Sequence, residues 1–147
     1  MKIRQLSVFL ENRPGQLRAP CQALGDAGID ILSMSLADTQ QFGILRLVVK
    51  EWQRAREVLE KAGAVVQVTD LLAIDVPDQP GGLAGVLAIL EQQGLGIEYM
   101  YAFTHRDKDR RATLLFRLED PDRAARLLVA AGVKLVPADE LFQRVGA

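Results

Sequence analysis

Cysteine occurs once in the 147 residues, at Cys21, and histidine once, at His105. One thiol excludes an intrachain disulfide and a thiolate metal cluster, so a reducing, cytoplasmic setting is expected. The lone histidine sits in a basic run, away from any carboxylate-nucleophile pair, which leaves neither a catalytic triad nor a histidine-built metal site. No metal and no cofactor are expected. Aromatic residues are 5 % of the chain, and charge lacks a dominant sign, with 18 Lys and Arg against 19 Asp and Glu. Such a balance provides no field to gather nucleic acid or anionic lipid. No segment approaches the roughly 18 consecutive apolar residues of a spanning helix, and the opening "MKIRQLS" alternates polar and apolar residues unlike a signal peptide. A soluble protein with neither nucleic acid nor membrane as partner is expected.

What is present is repetition. "LSVFLENRPGQL" (Leu6 to Leu17) aligns with "LAIDVPDQPGGL" (Leu72 to Leu83), pairing Pro14-Gly15 with Pro80-Gly81 at an offset of 66. The match continues through Leu24/Leu90, Gly28/Gly94, Ile31/Ile97 and Met34/Met100. It resumes at an offset of 69 with Ala55/Ala124, Leu59/Leu128 and Gly63/Gly132, the three extra residues falling in the loop "THRDKDRR". Two copies of one unit therefore fill the chain, residues 1–70 and 71–147, with no flexible linker at the seam.

Within a copy, Gln5 to Leu10 alternates like a strand. Leu17, Cys21, Leu24 and Gly28 share one helical face, with Gly28 as the stop. Ile29 to Ala37 and Phe42 to Val49 read as a hairpin, Ala55 to Ala62 as a second helix begun at Trp52, and Ala64 to Val68 as a fourth strand. The second copy repeats the order over Leu71–Val76, Leu83–Gln93, Ile97–Phe103, Thr113–Leu118, Asp122–Ala130 and Lys134–Val136, and Asp139 and Glu140 open a C-terminal helix after Pro137. The fold class is α+β: two ferredoxin-like βαββαβ units in tandem, with antiparallel sheets and helices on one face.

The corner "ENRPGQL" leads from the first strand into the first helix, whose opening amides lack intrahelical acceptors. Pro14 and Gly15 shape a tight turn that lets a ligand approach the backbone, and the helix start suits a carboxylate. With "AGIDILSMSL" following its helix, this segment resembles the ACT domain, the small ligand-binding module of amino-acid metabolism, and most closely its serine-binding form in 3-phosphoglycerate dehydrogenase. The resemblance covers the whole chain as a tandem pair.

It implies an amino-acid-binding regulatory or sensor protein without a catalytic domain, a homodimer of tandem chains, and an enzyme or transcription factor as the regulated partner. In that family the amino acid binds between neighbouring units, on the first loop of one and strand residues of another. The implied ligand-binding residues in the first copy are Asn12, Arg13, Pro14, Gly15, Gln16, Leu17, Ser33 and Met34; in the second they are Asp78, Gln79, Gly81, Gly82, Leu83, Tyr99 and Met100. Asn12 would accept from the ammonium, and the amides of Gln16 and Leu17 would take the carboxylate. The serine sensors carry a histidine where this chain has Leu10, and Val76 stands there in the second copy. An apolar side chain is therefore expected on the ligand, with the first copy the better site because Asp78 would repel a carboxylate.

Two other readings of the same topology compete. An assembly module would bind protein through its sheet edges and need no ligand. An acylphosphatase-like enzyme would use Arg13 or Arg18 with an asparagine on a later strand, but no asparagine follows Asn12. The mixed charges of "HRDKDRRA" read as a solvated hairpin tip, and Tyr99, Tyr101 and Phe103 as core or interface residues, since no basic face accompanies them.

Overall fold

The structure is a computed structural model that describes residues 2–38, 40–103 and 111–146. The loop charged in sequence, residues 104–110 with His105, lies outside the described residues. Two compact units divide the chain: residues 4–69 form one, and residues from Asp70 onward form the other together with Lys2 and Ile3.

The first unit runs β1 (Ile3–Glu11), α1 (Arg18–Asp26), β2 (Ser33–Asp38), β3 (Phe42–Val48), α2 (Trp52–Lys61) and the opening of β4 (Val65–Pro77), with strands in the order β2-β3-β1-β4. Leu6 and Val8 of β1 and Leu45 and Leu47 of β3 point to one face, where Leu24 of α1 and Leu59 of α2 bury them. Pro20 falls in the first turn of α1, where the loss of one N–H is tolerated. Trp52 stacks under the Arg4 guanidinium, 5.7 Å from ring centroid to charge.

The second unit takes the rest of β4 and continues with α3 (Gly82–Gln92), β5 (Ile97–Ala102), β6 (Arg111–Leu118), α4 (Pro121–Ala130) and α5 (Ala138–Arg144), with strands in the order β4-β6-β5. Its core joins Leu72, Ile74 and Val76 to Val86, Leu90 and Leu128. Strand registers reproduce both sequence offsets: Leu6 pairs with Leu47 and Leu47 with Met34, while Leu72 pairs with Phe116 and Phe116 with Met100.

Three elements depart from the sequence reading, the first being β4, one continuous strand where two, Ala64–Val68 and Leu71–Val76, were expected. β2 starts at Ser33, four residues after Ile29, because the Ile29 N–H closes on the Leu24 carbonyl at 2.9 Å and finishes the end of α1. Lys134–Val136 forms a single bridge, Leu135 to Ile74, in place of a strand. Two ladder bonds flank it, from the Asp75 N–H to the Lys134 carbonyl at 3.0 Å and from the Val136 N–H to the Ala73 carbonyl at 2.8 Å, but the next bonded position toward the end of β4 is Pro77, which has no N–H to donate.

The repeat helices lie on one face of each sheet, and α5 covers the other face of the second. Leu71, Ala73 and Leu115 on that face are fully buried, as is Leu141 of α5. Beneath the helix end, the Arg144 guanidinium donates to both carboxylate oxygens of Asp75 at 2.9 Å each. The Thr113 hydroxyl adds a third bond to Asp75 at 2.8 Å. The Asp75 side chain is 2 % exposed and that of Arg144 14 %. One turn earlier, Glu140 accepts from Lys134 and Arg144 at 2.7 Å each.

Lys134 first and Arg144 second hold the Glu140 carboxyl below its usual range. A lowered folded pKa stabilises the fold above the unfolded value, 4.5, and that contribution fades as pH falls through the folded value. Glu140→Gln should therefore flatten the acid limb of a stability–pH profile below pH 4.5 when unfolding is followed by circular dichroism. Because Glu140 is partly exposed, the difference should stay below about 1 kcal/mol.

Candidate functional site

At the first corner, Gly15 adopts φ 90°, a left-handed conformation that glycine enters without a Cβ clash. The Gln16 N–H donates to the Arg13 carbonyl at 3.2 Å and closes the turn. Gln16 therefore has no amide free for a carboxylate, a role that falls to Leu17, the residue before α1, and to Arg18, since the Ala19 N–H donates to the Gly15 carbonyl at 3.2 Å and Pro20 has none. The Arg13 guanidinium is ion-paired with Glu11.

Asn12 is fastened to the β2–β3 turn. Its side-chain amide donates to Asp38 at 3.2 Å and to the Gln40 carbonyl at 3.1 Å, and its backbone N–H to the Gln41 carbonyl at 2.9 Å. Both amide donors are spent, which points the carboxamide oxygen outward as an acceptor. Beside it stands the Asp38 carboxylate, exposed and negative. The Asn12 end of the corner favours a cation and the helix end an anion, some residues apart on one loop.

At the second corner Gly81 has φ 84° and caps α3, the Gln79 N–H donates to the Pro77 carbonyl at 2.9 Å, and the Gly82 N–H to the Gln79 carbonyl at 3.0 Å. The turn is tighter than its counterpart: a Cβ on Gly82 would overlap the Pro77 carbonyl oxygen, where the first copy carries Gln16. Asp78 is exposed.

The structure does not bring the strand residues to these corners within a unit. Met34 lies in register with Leu47 and Leu6, six residues back from Asn12. Ser33 is buried at the start of β2, and Asp38 at its end, roughly 16 Å further along the strand, is what meets Asn12. Met100 aligns in the same way with Phe116 and Leu72, and Tyr99 with Arg117. Met34 and Leu36 are about half exposed, at 47 % and 51 %, on the edge strand β2.

Sequence reasoning missed Asp38, Gln40 and the Asp75–Arg144 pair. For Asp75 a signal existed, a lone charge in the apolar run "LLAIDV", but nothing in the spacing marks a partner at position 144. Among the described residues no group of three or more His, Cys, Asp or Glu could hold a metal ion, and no helix is long and apolar enough to cross a membrane.

Two ferredoxin-like units in tandem, each with a glycine-turned corner before its first helix, define a class of paired regulatory modules. The family of ACT domain pairs matches residues 1–145, and the chain belongs to it. The crystal structure of protein BT0572 from Bacteroides thetaiotaomicron is similar at 34 % identity and a TM-score of 0.89, over 97 % of this chain and 96 % of that one. The ligand-free regulatory subunit of aspartate kinase from Thermus thermophilus shares the fold at 19 % identity and a TM-score of 0.63, over 89 % and 93 % of the two chains. The regulatory subunit of aspartate kinase from Thermus flavus has the same identity and coverage at a TM-score of 0.60. No curated protein matches this chain.

Proposed function

We propose that this protein is an amino-acid-binding regulatory protein of the cytoplasm with no catalytic step of its own, in which residues 1–70 and 71–147 act as two ACT domains. The free amino acid carries an apolar side chain and binds at the Asn12–Leu17 corner. Its ammonium meets the Asn12 carboxamide oxygen and Asp38, and its carboxylate the amides of Leu17 and Arg18. The observation that carries this reading is the fastening of Asn12, which spends both donors on Asp38 and Gln40 and holds the acceptor in place before any ligand arrives. Arg13, committed to Glu11, speaks against an acylphosphatase-like use of that arginine.

Met34 and Leu36 complete the site from a second copy of the chain, since the register within a unit keeps Met34 away from Asn12. Their exposure on an unpaired edge favours a homodimer. Regulation then passes through the change in that assembly to an enzyme or transcription factor, as the name of the aspartate kinase regulatory subunits illustrates for those proteins. Sedimentation should give a species of twice 16.2 kDa at micromolar concentration; a monomer throughout would count against the shared site.

Calorimetry with L-leucine as probe tests the corner. Losing one hydrogen bond to a charged ammonium costs about 1.5–3 kcal/mol, so Asn12→Ala should weaken binding about tenfold to a hundredfold. Gly15→Val, which forces a β-branched residue to φ 90°, should weaken it further. If both variants bind leucine as the parent does, the corner is a turn and nothing more.

A further inference from the structure

A cavity of about 290 Å³ opens in the second unit beside the end of β4. Val76, Pro77, Val86 and Val133 wall it, and Arg111 and Lys134 stand at its rim. The first unit has a hollow in the matching place, about 120 Å³, whose lining includes Leu10, Pro20, Gly63 and Ala64 and no charged residue. Those four correspond through the repeat to Val76, Val86, Gly132 and Val133. The fold thus makes a hollow twice, and the substitutions make it larger and cationic once: Asp75 replaces Phe9, Val86 replaces Pro20, and Lys134 replaces Val65.

The charges around the larger hollow sum in favour of an anion. Asp75 also lines it, but both its oxygens are engaged by Arg144 and one also by Thr113. Glu140 is shared between Lys134 and Arg144. Of the lining residues two are cations, Arg111 and Lys134, and one a carboxylate, Asp75, and Arg111 has no ion-pair partner among the described residues. Arginine and lysine at a rim with apolar walls behind them match a ligand that is charged at one end and greasy at the other.

We infer that this cavity binds a small aliphatic carboxylic acid, its chain against Val76, Val86 and Val133 and its carboxylate between Arg111 and Lys134. The site is separate from the Asn12 corner and does not rest on it. It carries a built-in competition: the ligand carboxylate and Glu140 both seek Lys134, whose Nζ lies 2.7 Å from Glu140. Removing the Glu140 charge therefore strengthens binding, an effect opposite to the one that damage to the surrounding fold would produce.

The test is a titration of the full ¹⁵N-labelled chain with sodium 4-methylpentanoate, followed by amide chemical shifts, with neutral 4-methylpentanamide as control. The acid should move the Val86, Gly132 and Val133 amides saturably and bind at least about tenfold tighter than the amide, the worth of one charge-assisted bond. Lys134→Met, at an exposed position, should weaken binding about tenfold, and Glu140→Gln should tighten it about threefold. Val86→Phe should fill the hollow and abolish the response. The inference is overturned if those amides do not move, if acid and amide bind alike, if Lys134→Met binds as the parent does, or if the shifts are confined to Gly15–Leu17. A parallel L-leucine titration read at Asn12 and Leu17 reports on the proposed amino-acid site by itself, so either site can fail alone.

Discussion

Asp75→Ala should lower the unfolding free energy by about 3 kcal/mol. The change removes both Asp75 bonds from the largely buried Arg144, leaving it Glu140 as its one ionic partner, and it leaves the Thr113 hydroxyl without its acceptor. Arg144→Ala should cost a similar amount by stranding the carboxylate instead. Urea denaturation followed by circular dichroism would read both. The double change Asp75→Leu with Arg144→Met should recover most of the loss, because two apolar side chains remove the desolvation cost together with the pair. Since the pair is buried, added salt should change its contribution little.

Gly82→Val should cost about 3 kcal/mol or prevent α3 from starting where it does. Any Cβ at this position meets the Pro77 carbonyl oxygen, and a backbone atom cannot swing aside as a side-chain end can. Three residues on, a Cβ on Gly85 would meet open space within the same helix. Gly85→Ala should therefore stabilise the protein by about 0.5–1 kcal/mol. Opposite signs from two glycines in one helix, measured by thermal unfolding, would separate a steric role from a helix-propensity effect. Equal behaviour would remove the close approach from the account.

The repeat was legible because burial acts locally and twice. Leu24 and Leu90, and Leu59 and Leu128, answer the same packing demand at the same place in each unit, so their spacing alone recovers the element order. Boundaries were less legible where a hydrogen bond competes with pattern. Ile29 to Leu32 is apolar enough for a strand, but the chain is still completing the helix end there. Lys134–Val136 reads as a strand until Pro77, on the facing strand, is recognised as unable to extend the ladder.

At the candidate site the residue types were readable and their partners were not. Asn12 stands out as the chain's single asparagine, whereas its ties to Asp38 and Gln40 depend on how a hairpin tip folds back. The Asp75–Arg144 pair joins residues 69 positions apart, a separation that no periodicity encodes.

The grouping of Lys2 and Ile3 with the second unit has a consequence for the order of assembly. Ile3 is fully buried and Lys2 ion-pairs with Asp122 at 3.0 Å, so the second unit is discontinuous and the first is an insertion within it. During synthesis residues 4–69 can close on themselves early, while Lys2 and Ile3 wait for α4 to emerge. Closing so long a loop adds little entropy beyond a shorter one, yet it makes the last contacts non-local and therefore slow to form. A fragment beginning at Asp70 would lack the piece that Ile3 contributes, and a fusion placed at the amino end would press on the unit that folds last.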